Sequence, residues 1–528
     1  MNKVGLLDCT LRDGGYVNDF AFGKDCMAAI LKNLQDANIE IAECGFLKSG
    51  ETDPDKSLFG SVEAVKPLLP EHKGGKTMFV AMIAYGDISE AEISPCDGTS
   101  VTGIRLTFHE KEIEQALSFA AGLKEKGYKV FFQPVGTAYY SDAALLALIE
   151  KVNGLRPFAF YLVDTLGAMY KNDLLRMYYL VDNNLRDGIR IGFHSHNNLQ
   201  LSFSNAQELI LMHSKREIII DTSVYGMGRG AGNLCTELLA QYINKNIMHR
   251  YELLPVLECI DEYILPVYFR SGWGYSVPYY LAAVNGCHPN YASYLVSRQT
   301  LRMRDINNII KSIPAEKKTM FDKELVKGLY LQYLQRRVDD SAAIAELGAL
   351  CAGRRVLILA PGRTLAEYRA EIEKFIREKR PVVFAVNHIP LPCYQCDRIF
   401  VSNLKRFKSM EDLLTQAAGK LVCTSNISAD KNLCVLNYSD YLIEDDVISD
   451  NAGLMLINIL KKAGVTDFAL AGYDGFGGSG EKNYFDDKMI GGAEFERRDA
   501  INRSVSEYFR KLRKTLAIAF ITPSVYDE

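Results

Sequence analysis

The sequence lacks the features of a secreted or membrane-spanning protein. Nowhere do about 18 apolar residues follow one another without a charge, as a spanning helix requires. The apolar run at the N-terminus is interrupted by Asp8 and Arg12 before it reaches the length of a secretory h-region. We therefore expect a cytoplasmic protein with no membrane partner.

A strong charge of one sign is also missing. Lys and Arg together number 61, Asp and Glu number 65, and the formal net charge is -4. Domains that bind nucleic acids usually present a basic face to the phosphates. No nucleic-acid partner is therefore expected.

The 12 cysteines form no regular framework. Cys393 and Cys396 make a lone C-x-x-C, and no second pair follows at the spacing of a zinc ribbon. We expect reduced thiols of the kind found in cytosolic proteins.

What the sequence does contain is enough chain for two or three domains. It has 528 residues, of which 48% are hydrophobic and 24% are charged. Residues 1–248 alternate between strand-like and helical patterns, residues 249–353 look helical throughout, and residues 354–528 alternate again. We predict a barrel domain, a helical annex near the barrel mouth, and a Rossmann-like α/β domain.

Eight short apolar runs in the first region predict strands. They span residues 4–8, 39–45, 77–84, 103–108, 129–134, 159–163, 189–194 and 217–222. Helical patterns between them imply parallel pairing, and eight such units predict a (β/α)8 TIM barrel. An open doubly wound sheet is the alternative, but no G-x-G-x-x-G follows the first run. Catalytic groups in a barrel lie where the strands end.

Asp13, His194 and His196 form the strongest constellation at these strand ends. The two histidines end the seventh run two positions apart, so both side chains point to one face. Asp13 follows the first strand, which closes against the eighth and so lies near the seventh. Two imidazoles and one carboxylate can hold a divalent cation with positions left for substrate. The alternative is a pair of structural histidines and an aspartate that forms an ion pair with Arg12 or caps a loop.

Three motifs, in this order along the chain, resemble those of the DRE-TIM metallolyases, the HMG-CoA lyase-like family. They are DCTLRDGG at 8–15, FHSHNN at 193–198 and GMGRGAGNLCTE at 226–237. The resemblance covers about residues 3–245 and is closest to the 4-hydroxy-2-oxovalerate aldolase branch. It implies that Asp13, His194 and His196 are metal ligands, that Asn233 lies near the metal, and that Arg12 is the active-site arginine.

These roles are chemically coherent. A 2-oxo acid can chelate a divalent metal, with Mn or Mg favoured, and the metal then acts as a Lewis acid on the 2-oxo carbonyl. Cleavage of the neighbouring carbon–carbon bond leaves a pyruvate-type enolate, and Arg12 can stabilise its negative oxygen. The alternative for Arg12 is a structural salt bridge.

The sequence departs from the aldolase pattern at Tyr16, where members of that branch usually carry a proton-transferring histidine. A tyrosine has a pKa near 10, so it would need strong tuning to act as a base at neutral pH. Tyr16, His109 and His288 are the candidates for proton transfer. We therefore expect a substrate other than hydroxy-oxovalerate.

Further polar residues at strand ends and loops are predicted to contact the substrate or to support the metal ligands. They are Glu43, Gln133, Asp164, Gly230 and His288. Gly230 belongs to the loop 226–232, which precedes a helix predicted to begin near Asn233. The loop amides could bind an anion, although a tight turn explains the glycines nearly as well.

Residues 354–528 weakly resemble Rossmann-like domains of bacterial surface-glycan proteins, some of which bind nucleotides or nucleotide sugars. Strand-like runs occur at 355–360, 381–386, 398–401, 420–424, 433–436 and 467–472. A turn of small residues after a strand lets a phosphate approach the backbone, which makes Gly362, Arg363 and Asn387 candidate nucleotide contacts. A plain βα turn is the alternative.

Three hypotheses for the function follow. The first is a metal-dependent aldolase that cleaves or forms a 4-hydroxy-2-oxo acid. The second is a Claisen-type synthase that joins an acyl-CoA to a 2-oxo acid, and dependence on CoA would distinguish it. The third is a barrel without catalysis that serves a nucleotide-sugar-binding C-terminal domain. A homo-oligomer is compatible with all three.

Overall fold

The structure, a computed structural model, describes residues 4–70, 76–212, 214–298, 300–335, 337–427, 433–477, 483–486 and 495–527. The chain divides into two compact units. The first comprises Met1–Asn290 and Ala315–Phe321, and the second comprises Tyr291–Pro314 and Asp322–Glu528. The helices between residues 249 and 353 are thus divided between the two units, some belonging to the first and some to the second. A separate annex domain remains a prediction.

The first unit is built on a closed barrel of eight parallel strands, which confirms the predicted fold. The strands are β1 (Val4–Asp8), β2 (Ile41–Leu47), β4 (Met78–Ala84), β5 (Gly103–Phe108), β6 (Lys129–Pro134), β7 (Ala159–Asp164), β8 (Arg190–Ser195) and β9 (Ile218–Thr222), and a two-residue strand, β3 (Leu58–Phe59), is added beside β2. Each strand pairs with the next in order, and β1 pairs with both β9 and β2, so the sheet closes.

Six helices follow the strands around the barrel. They are α1 (Lys24–Asp36), α2 (Ile113–Glu125), α3 (Asp142–Leu155), α4 (Lys171–Asn184), α5 (Ser202–Leu211) and α6 (Thr236–Asn246). In α1 the buried positions Met27, Ile30, Leu31 and Leu34 recur at intervals of three and four, so one face of the helix packs inward. The last helix begins at Thr236, whereas the sequence pattern predicted a start near Asn233.

The interior of the barrel is apolar at one end and charged at the other. Because alternate side chains of a strand share a face, Ile219 and Asp221 of β9 both point inward, as do Phe131 and Gln133 of β6. The first member of each pair belongs to a buried apolar cluster, and the second is polar and buried. The strand period thus places an apolar floor beneath a polar mouth.

Gly192 shows how tightly the interior is filled. A Cβ at this position of β8 would lie 2.3 Å from the ring of Tyr161 on the neighbouring strand. The missing side chain makes room for the Tyr161 ring, two residues before His194 on the same face of β8. Any larger residue would clash with that ring and shift β8, which carries His194 and leads directly into His196.

The helices after the barrel are short. They are α7 (Leu254–Cys259), a π-helical turn at Ile260–Ile264, α8 (Leu265–Tyr268), α9 (Val277–Val284), α10 (Pro289–Ser297), α11 (Met303–Lys311), α12 (Lys323–Leu334) and α13 (Ser341–Cys351). None of the helices among the described residues is long and apolar enough to cross a membrane.

The second unit contains a parallel sheet of seven strands. Its elements are β10 (Val356–Leu359), α14 (Thr364–Glu367), α15 (Arg369–Lys379), β11 (Val382–Val386), β12 (Arg398–Val401), α16 (Leu404–Ser409), α17 (Glu411–Gln416), β13 (Leu421–Thr424), β14 (Cys434–Leu436), α18 (Ala452–Lys462), β15 (Asp467–Ala471), α19 (Phe495–Leu512) and β16 (Ala517–Phe520). The strand order is β14-β13-β12-β11-β10-β15-β16.

This order is that of an open α/β sheet. The chain runs outward from β10 to β14 and then returns to β15 on the other side of β10. The direction of winding therefore reverses between β10 and β15, and open α/β domains bind ligands at such a point. All six strands predicted from the sequence are present, whereas β16 was missed.

Candidate metal centre

The turn after β1 carries the first candidate ligand. The backbone amides of Arg12 and Asp13 both donate to the carbonyl of Cys9, at 3.1 and 2.8 Å. The side chain of Asp8 holds this turn against the rest of the barrel, because it accepts hydrogen bonds from the Thr10 amide and the Thr236 hydroxyl. Asp13 is therefore fixed at the mouth of the barrel and is 1% exposed.

His194 and His196 lie beside Asp13. One donor atom from each of the three side chains lies within 4.8 Å of the others, and all three residues are buried. The His196 Nδ1 atom is 3.7 Å from the Asp13 Oδ2 atom, and the two imidazole centroids are 5.2 Å apart. Two donors that share a cation at about 2.1 Å each lie roughly 3 to 4 Å apart, so this spacing suits a metal ion.

Two buried acceptors in the centre have no hydrogen-bond partner among the described residues. They are the Nδ1 atom of His196 and the Oδ1 atom of Asn233. The Asn233 amide is oriented by its other end, where Nδ2 donates to Asp13 Oδ2 at 2.7 Å and to the Met227 carbonyl at 3.0 Å. Buried polar atoms are rarely left without a partner, and a cation satisfies both of these acceptors. The residues present therefore fit a divalent metal.

The protonation of the centre also suits a cation. Burial alone would raise the pKa of the Asp13 carboxyl, but Arg12 and then the two imidazoles hold it well below its usual range. Burial lowers the pKa of His196 to about 3, against the opposing effect of Asp13. Asp13 is thus charged and His196 neutral at pH 7, the forms that bind metals.

A continuous chain of buried hydrogen bonds connects Asp13 to His194. Arg12 donates to Asp13 at 2.7 Å and to Glu43 at 2.9 Å, and Arg105 donates to Glu43 at 2.7 Å. Arg105 also donates to Asp221, which accepts from His194 Nδ1 at 2.9 Å. We call the six residues Asp13, Arg12, Glu43, Arg105, Asp221 and His194 the buried ionic chain.

The buried ionic chain fixes the tautomer of His194. Because a carboxylate can only accept, the His194 Nδ1 atom carries a proton and Nε2 presents its lone pair. A carboxylate behind a metal-binding imidazole orients the ring in this way and raises its basicity. Burial alone would raise the pKa of Asp221, but Arg105 and then His194 hold it below its ordinary value.

A cavity of about 340 Å³ opens in front of the three candidate ligands. Besides these ligands, its polar lining comprises Arg12, Tyr16, Thr107, His109, Gln133, Thr165, Arg229, His288 and Thr319. The three residues proposed from the sequence for proton transfer, Tyr16, His109 and His288, thus all reach the same cavity as Asp13. Burial lowers the pKa of His288 to about 4, so this imidazole is neutral at pH 7.

The remaining residues predicted from the sequence lie at different depths. Gln133 lines the cavity and accepts a hydrogen bond from Arg105 at 2.8 Å, whereas Glu43 lies behind Arg12. Asp164 is turned away, because its carboxylate accepts from the amides of Ala168 and Met169 and holds the loop after β7. Burial raises the pKa of Asp164 to about 6.

Several backbone amides of the loop 226–232 already donate hydrogen bonds within the protein, so fewer of them are available to an anion than the glycine-rich sequence suggests. The amides of Gly226, Met227 and Gly232 donate to carbonyls of the loop and of the turn before it, and the Ala231 amide donates to the Asn198 side chain. Gly230 makes the turn with a φ of +66°. The side chain of Arg229 nevertheless lines the cavity.

Sequence reasoning missed Arg105, Asp221 and Arg229. Arg105 and Asp221 are charged residues inside the apolar runs of β5 and β9, and both are at most 2% exposed. A charge in the middle of a buried strand is uncommon unless it is paired, and that signal could have identified them. Arg229 lies within the third motif, where only the glycines were considered.

The second unit has a cavity of its own at the carboxyl ends of β10, β11 and β15. Gly362 and Asn387 line this cavity together with Asn451, Tyr473 and Asp474. Among the described residues no Lys, Arg or His lines it. Arg363 instead pairs with Glu367 at 3.1 Å.

The turn after β10 is already bonded to a carboxylate. Asp474 accepts hydrogen bonds from the Thr364 amide at 2.9 Å and from the Thr364 hydroxyl. Asn387 accepts from the amide of Ser402 at 3.1 Å. Nucleotide binding by Gly362, Arg363 and Asn387 stays a prediction.

The N-terminal region is thus a TIM barrel with a candidate metal centre at the carboxyl ends of its strands. Residues 3–255 match the model of the HMGL-like family, so this part of the chain is an HMGL-like, or DRE-TIM, domain. The family comprises lyases and aldolases that use a divalent metal.

Curated relatives match the same half of the chain. The chain is 26% identical to a 4-hydroxy-2-oxovalerate aldolase of Pseudoalteromonas translucida over 275 residues, which is 50% of this chain and 77% of the relative. It is 24% identical to an oxaloacetate decarboxylase of Mycobacterium tuberculosis over 248 residues, 46% of this chain and 70% of the relative. Among solved structures, the HMG-CoA lyase of Brucella melitensis superimposes with a TM-score of 0.40 at 14% identity, over 49% of this chain and 96% of that one.

Proposed function

We propose that the barrel is a divalent-metal-dependent carbon–carbon lyase, an aldolase that cleaves or forms a 4-hydroxy-2-oxo acid. The observation that carries this proposal is the convergence of Asp13, His194 and His196 at the barrel mouth, beside a cavity and with two acceptors, His196 Nδ1 and Asn233 Oδ1, unsatisfied among the described residues. Asn233 Oδ1 would supply a fourth ligand atom. Mixed nitrogen and oxygen donors are compatible with Mn²⁺, Mg²⁺, Zn²⁺ or Fe²⁺, and we propose Mn²⁺ or Mg²⁺.

The reaction class agrees with two relatives of different activity. One is named as an aldolase of a 4-hydroxy-2-oxo acid and the other as a decarboxylase of oxaloacetate. Both reactions break the bond between C3 and C4 of a 2-oxo acid and leave the same three-carbon enolate. A divalent cation supplies Lewis-acid polarisation of the 2-oxo carbonyl when it is bound.

Arg12 is suited to the developing negative charge. Its Nη1 and Nε atoms donate to Asp13 and Glu43, whereas the buried Nη2 atom has no partner among the described residues. A fixed donor that loses no orientation when charge develops stabilises a transition state more than a mobile one. We assign Nη2 to the substrate oxygen that becomes negative.

The lining offers three groups for the proton steps. Cleavage removes a proton from the C4 hydroxyl and returns one to C3. The proton-transferring groups must therefore lie within reach of the C4 hydroxyl oxygen and of C3. The Nδ1 atom of His288 accepts from the Asn290 amide at 3.2 Å, so its neutral ring carries the proton on Nε2 and acts as a donor. His109 and Tyr16 remain as proposed bases, and His109→Asn and Tyr16→Phe separate them.

The test is exchange of the pyruvate methyl protons in deuterated water with Mn²⁺, followed by NMR. We expect the wild-type protein to exchange them, since removal of a C3 proton forms the enolate without an aldehyde partner. His194→Ala should lose exchange and weaken Mn²⁺ binding by roughly 100-fold or more, because a ligand is removed outright. The exposed His249 provides the control His249→Ala, which should retain both.

The same experiment addresses the two other hypotheses. A Claisen-type synthase would instead exchange the α protons of an acyl-CoA, because that carbon becomes the nucleophile, and it would release CoA only when a 2-oxo acid is also present. Tight Mn²⁺ binding without exchange of pyruvate or of any other small 2-oxo acid would contradict the lyase proposal and favour a barrel without catalysis.

A further inference from the structure

Arg229 presents a positive charge to the cavity from a firmly held loop. The Asn197 amide donates to the Gly232 carbonyl at 2.8 Å, and the Gly232 amide donates to the Arg229 carbonyl at 2.9 Å. A Cβ on Gly228 would lie 3.1 Å from Asp13 Oδ2, so the loop passes directly beside the candidate metal centre. The backbone of Arg229 therefore has a fixed place next to the reacting groups.

The side chain of Arg229 stacks on Tyr16. The guanidinium carbon is 4.2 Å from the centroid of the Tyr16 ring, and the ring makes edge contacts with Phe20 and Phe46. A guanidinium stacked on an aromatic face keeps the N–H groups in its own plane free for an anion. This packing gives Tyr16 a role that needs no proton transfer, since its ring holds Arg229 in place.

Arg229 differs from the two other arginines of the region. Arg12 and Arg105 each donate to two carboxylates of the buried ionic chain. Within the described part of the chain the Arg229 side chain makes no hydrogen bond or ion pair, and its buried Nε atom lacks a partner. A largely buried donor without an acceptor is costly, so a bound anion would relieve that cost.

The balance of charge points to the kind of anion. The buried ionic chain holds three carboxylates and two guanidinium groups, which leaves one negative charge. Arg229 cancels that charge, and a divalent cation then leaves two positive charges in the cavity. Buried charges are stable only when they are compensated, and a ligand with two negative charges compensates them.

We propose that Arg229 binds a second acidic group of the substrate, so that the substrate is a 2-oxo acid with a carboxylate or phosphate on the side beyond C3. The inference rests on the proposed lyase function, in which the first carboxylate and the 2-oxo group would be held by the metal and Arg12 would face the 2-oxo oxygen. In the aldol reaction the second acidic group leaves with the aldehyde or ketone fragment. Tyr16 is then a positioning residue for Arg229.

The test uses two ligands of equal length. The 2-oxoglutarate ion and the 2-oxopentanoate ion both have five carbons, and only the first has a distal carboxylate. Their dissociation constants are measured by calorimetry on the full-length, Mn²⁺-loaded protein. Because a hydrogen bond to a charged group contributes about 1.5–3 kcal/mol, wild type should prefer 2-oxoglutarate by roughly 10- to 100-fold. The ligand 2-oxo-4-phosphonobutanoate shows whether phosphate is preferred to carboxylate.

Arg229→Gln should remove this preference to within about twofold, because the distal carboxylate loses its partner whereas the 2-oxo acid end that both ligands share does not. Tyr16→Phe keeps the ring and should keep the preference, whereas Tyr16→Ala should reduce it. The exposed Arg377 of the second unit gives the control Arg377→Gln, which should behave as wild type.

Two results would overturn the inference. In the first, wild type binds both five-carbon ligands with equal affinity. In the second, Arg229→Gln weakens the binding of both ligands to the same degree, which would show that Arg229 contacts the 2-oxo acid end that they share. Pyruvate exchange by wild type in either case leaves the lyase function standing. Loss of preference in Arg229→Gln without any exchange by wild type would support the anion site and contradict the lyase. A wild type that binds neither ligand and exchanges nothing contradicts both.

Discussion

The barrel and the second unit both place a cavity at the carboxyl ends of parallel strands, but the side chains around the two cavities differ in charge. Behind the barrel cavity, charged residues come from inside the strands: Glu43, Arg105 and Asp221 hold three residues that line the cavity, namely Arg12, Gln133 and His194. In the second unit, strands β10, β11 and β15 are buried and apolar except for Asp467 at the start of β15, and the turns after them contribute Asn387 and Asp474 to the cavity lining.

This difference in the position of charged residues follows from the closure of the barrel sheet. A closed barrel surrounds its own interior, so inward side chains near the mouth can meet across it and neutralise one another. An open sheet has its two faces covered by helices, and a charge within a strand would face an apolar helix without a partner. Ionic chemistry can therefore be built into the barrel strands, whereas an open sheet must place it in loops.

The largest effect is expected from breaking the buried ionic chain. Arg105→Met leaves Asp221 buried without a guanidinium and leaves Glu43 with Arg12 alone, and breaking a buried pair in this way costs about 3–5 kcal/mol. Urea unfolding followed by fluorescence reports on the barrel unit, because Trp273 is the single tryptophan.

The control for Arg105→Met is Arg186→Met at an exposed position of the barrel unit, which should change stability by less than about 0.5 kcal/mol. If the free energy of unfolding of Arg105→Met falls by less than about 1 kcal/mol, the buried ionic chain contributes little to the stability of the barrel unit.

A smaller effect is expected from Asp221, the residue of the buried ionic chain that supports the candidate ligand His194. Asp221→Asn removes the carboxylate behind His194 and should weaken Mn²⁺ binding by about 10- to 100-fold, since partners of this kind orient the imidazole. Titration of Mn²⁺ followed by electron paramagnetic resonance measures the affinity. Asp164→Asn is the matched variant, because Asp164 is equally buried but bonds loop amides. Equal losses in both variants would contradict the assignment.

The smallest effect concerns the second unit and its buried histidine. His388 is fully buried, and burial lowers its pKa from 6.5 to about 4. The unfolded chain therefore binds more protons than the folded unit between these values, so stability is full above pH 6.5 and is lost as the pH falls toward 4. At pH 5 the loss is about 2 kcal/mol relative to pH 7.

Hydrogen exchange of peptides from β10 and β11 measures this loss. In His388→Asn the pH dependence should disappear, because the amide keeps a donor for the Val386 carbonyl, which His388 Nδ1 contacts at 3.0 Å, and carries no titrating group. The exposed His249 gives the control His249→Gln. If the second unit of the wild-type protein is equally stable at pH 7 and pH 5, protonation of His388 does not destabilise it, and the prediction is wrong.

Much of the fold could be predicted because its strands are short apolar runs at regular intervals. The convergence of the candidate ligands could be predicted as well, since a spacing of two places His194 and His196 on one face. The strand β16 was missed although residues 516–521 form an apolar run, LAIAFI; in the structure this strand lies partly exposed at the edge of the sheet.

The links behind the ligands could not be predicted in the same way. Arg105 meets Asp221 across 116 positions of sequence, and only the closed barrel brings β5 and β9 to opposite sides of one interior. Local patterns indicate which face a side chain occupies, but they do not indicate which distant residue it meets there. The stacking of Arg229 on Tyr16 is of the same kind.

The buried ionic chain begins at one candidate ligand and ends at another. Asp13 and His194 are thus joined through protein before any cation arrives, and a bound cation would close the path into a ring. The spacing of these two donors is set by the barrel wall rather than by the ion. Cations of unsuitable radius are then disfavoured by rigidity, and loading requires no reorganisation of the strands.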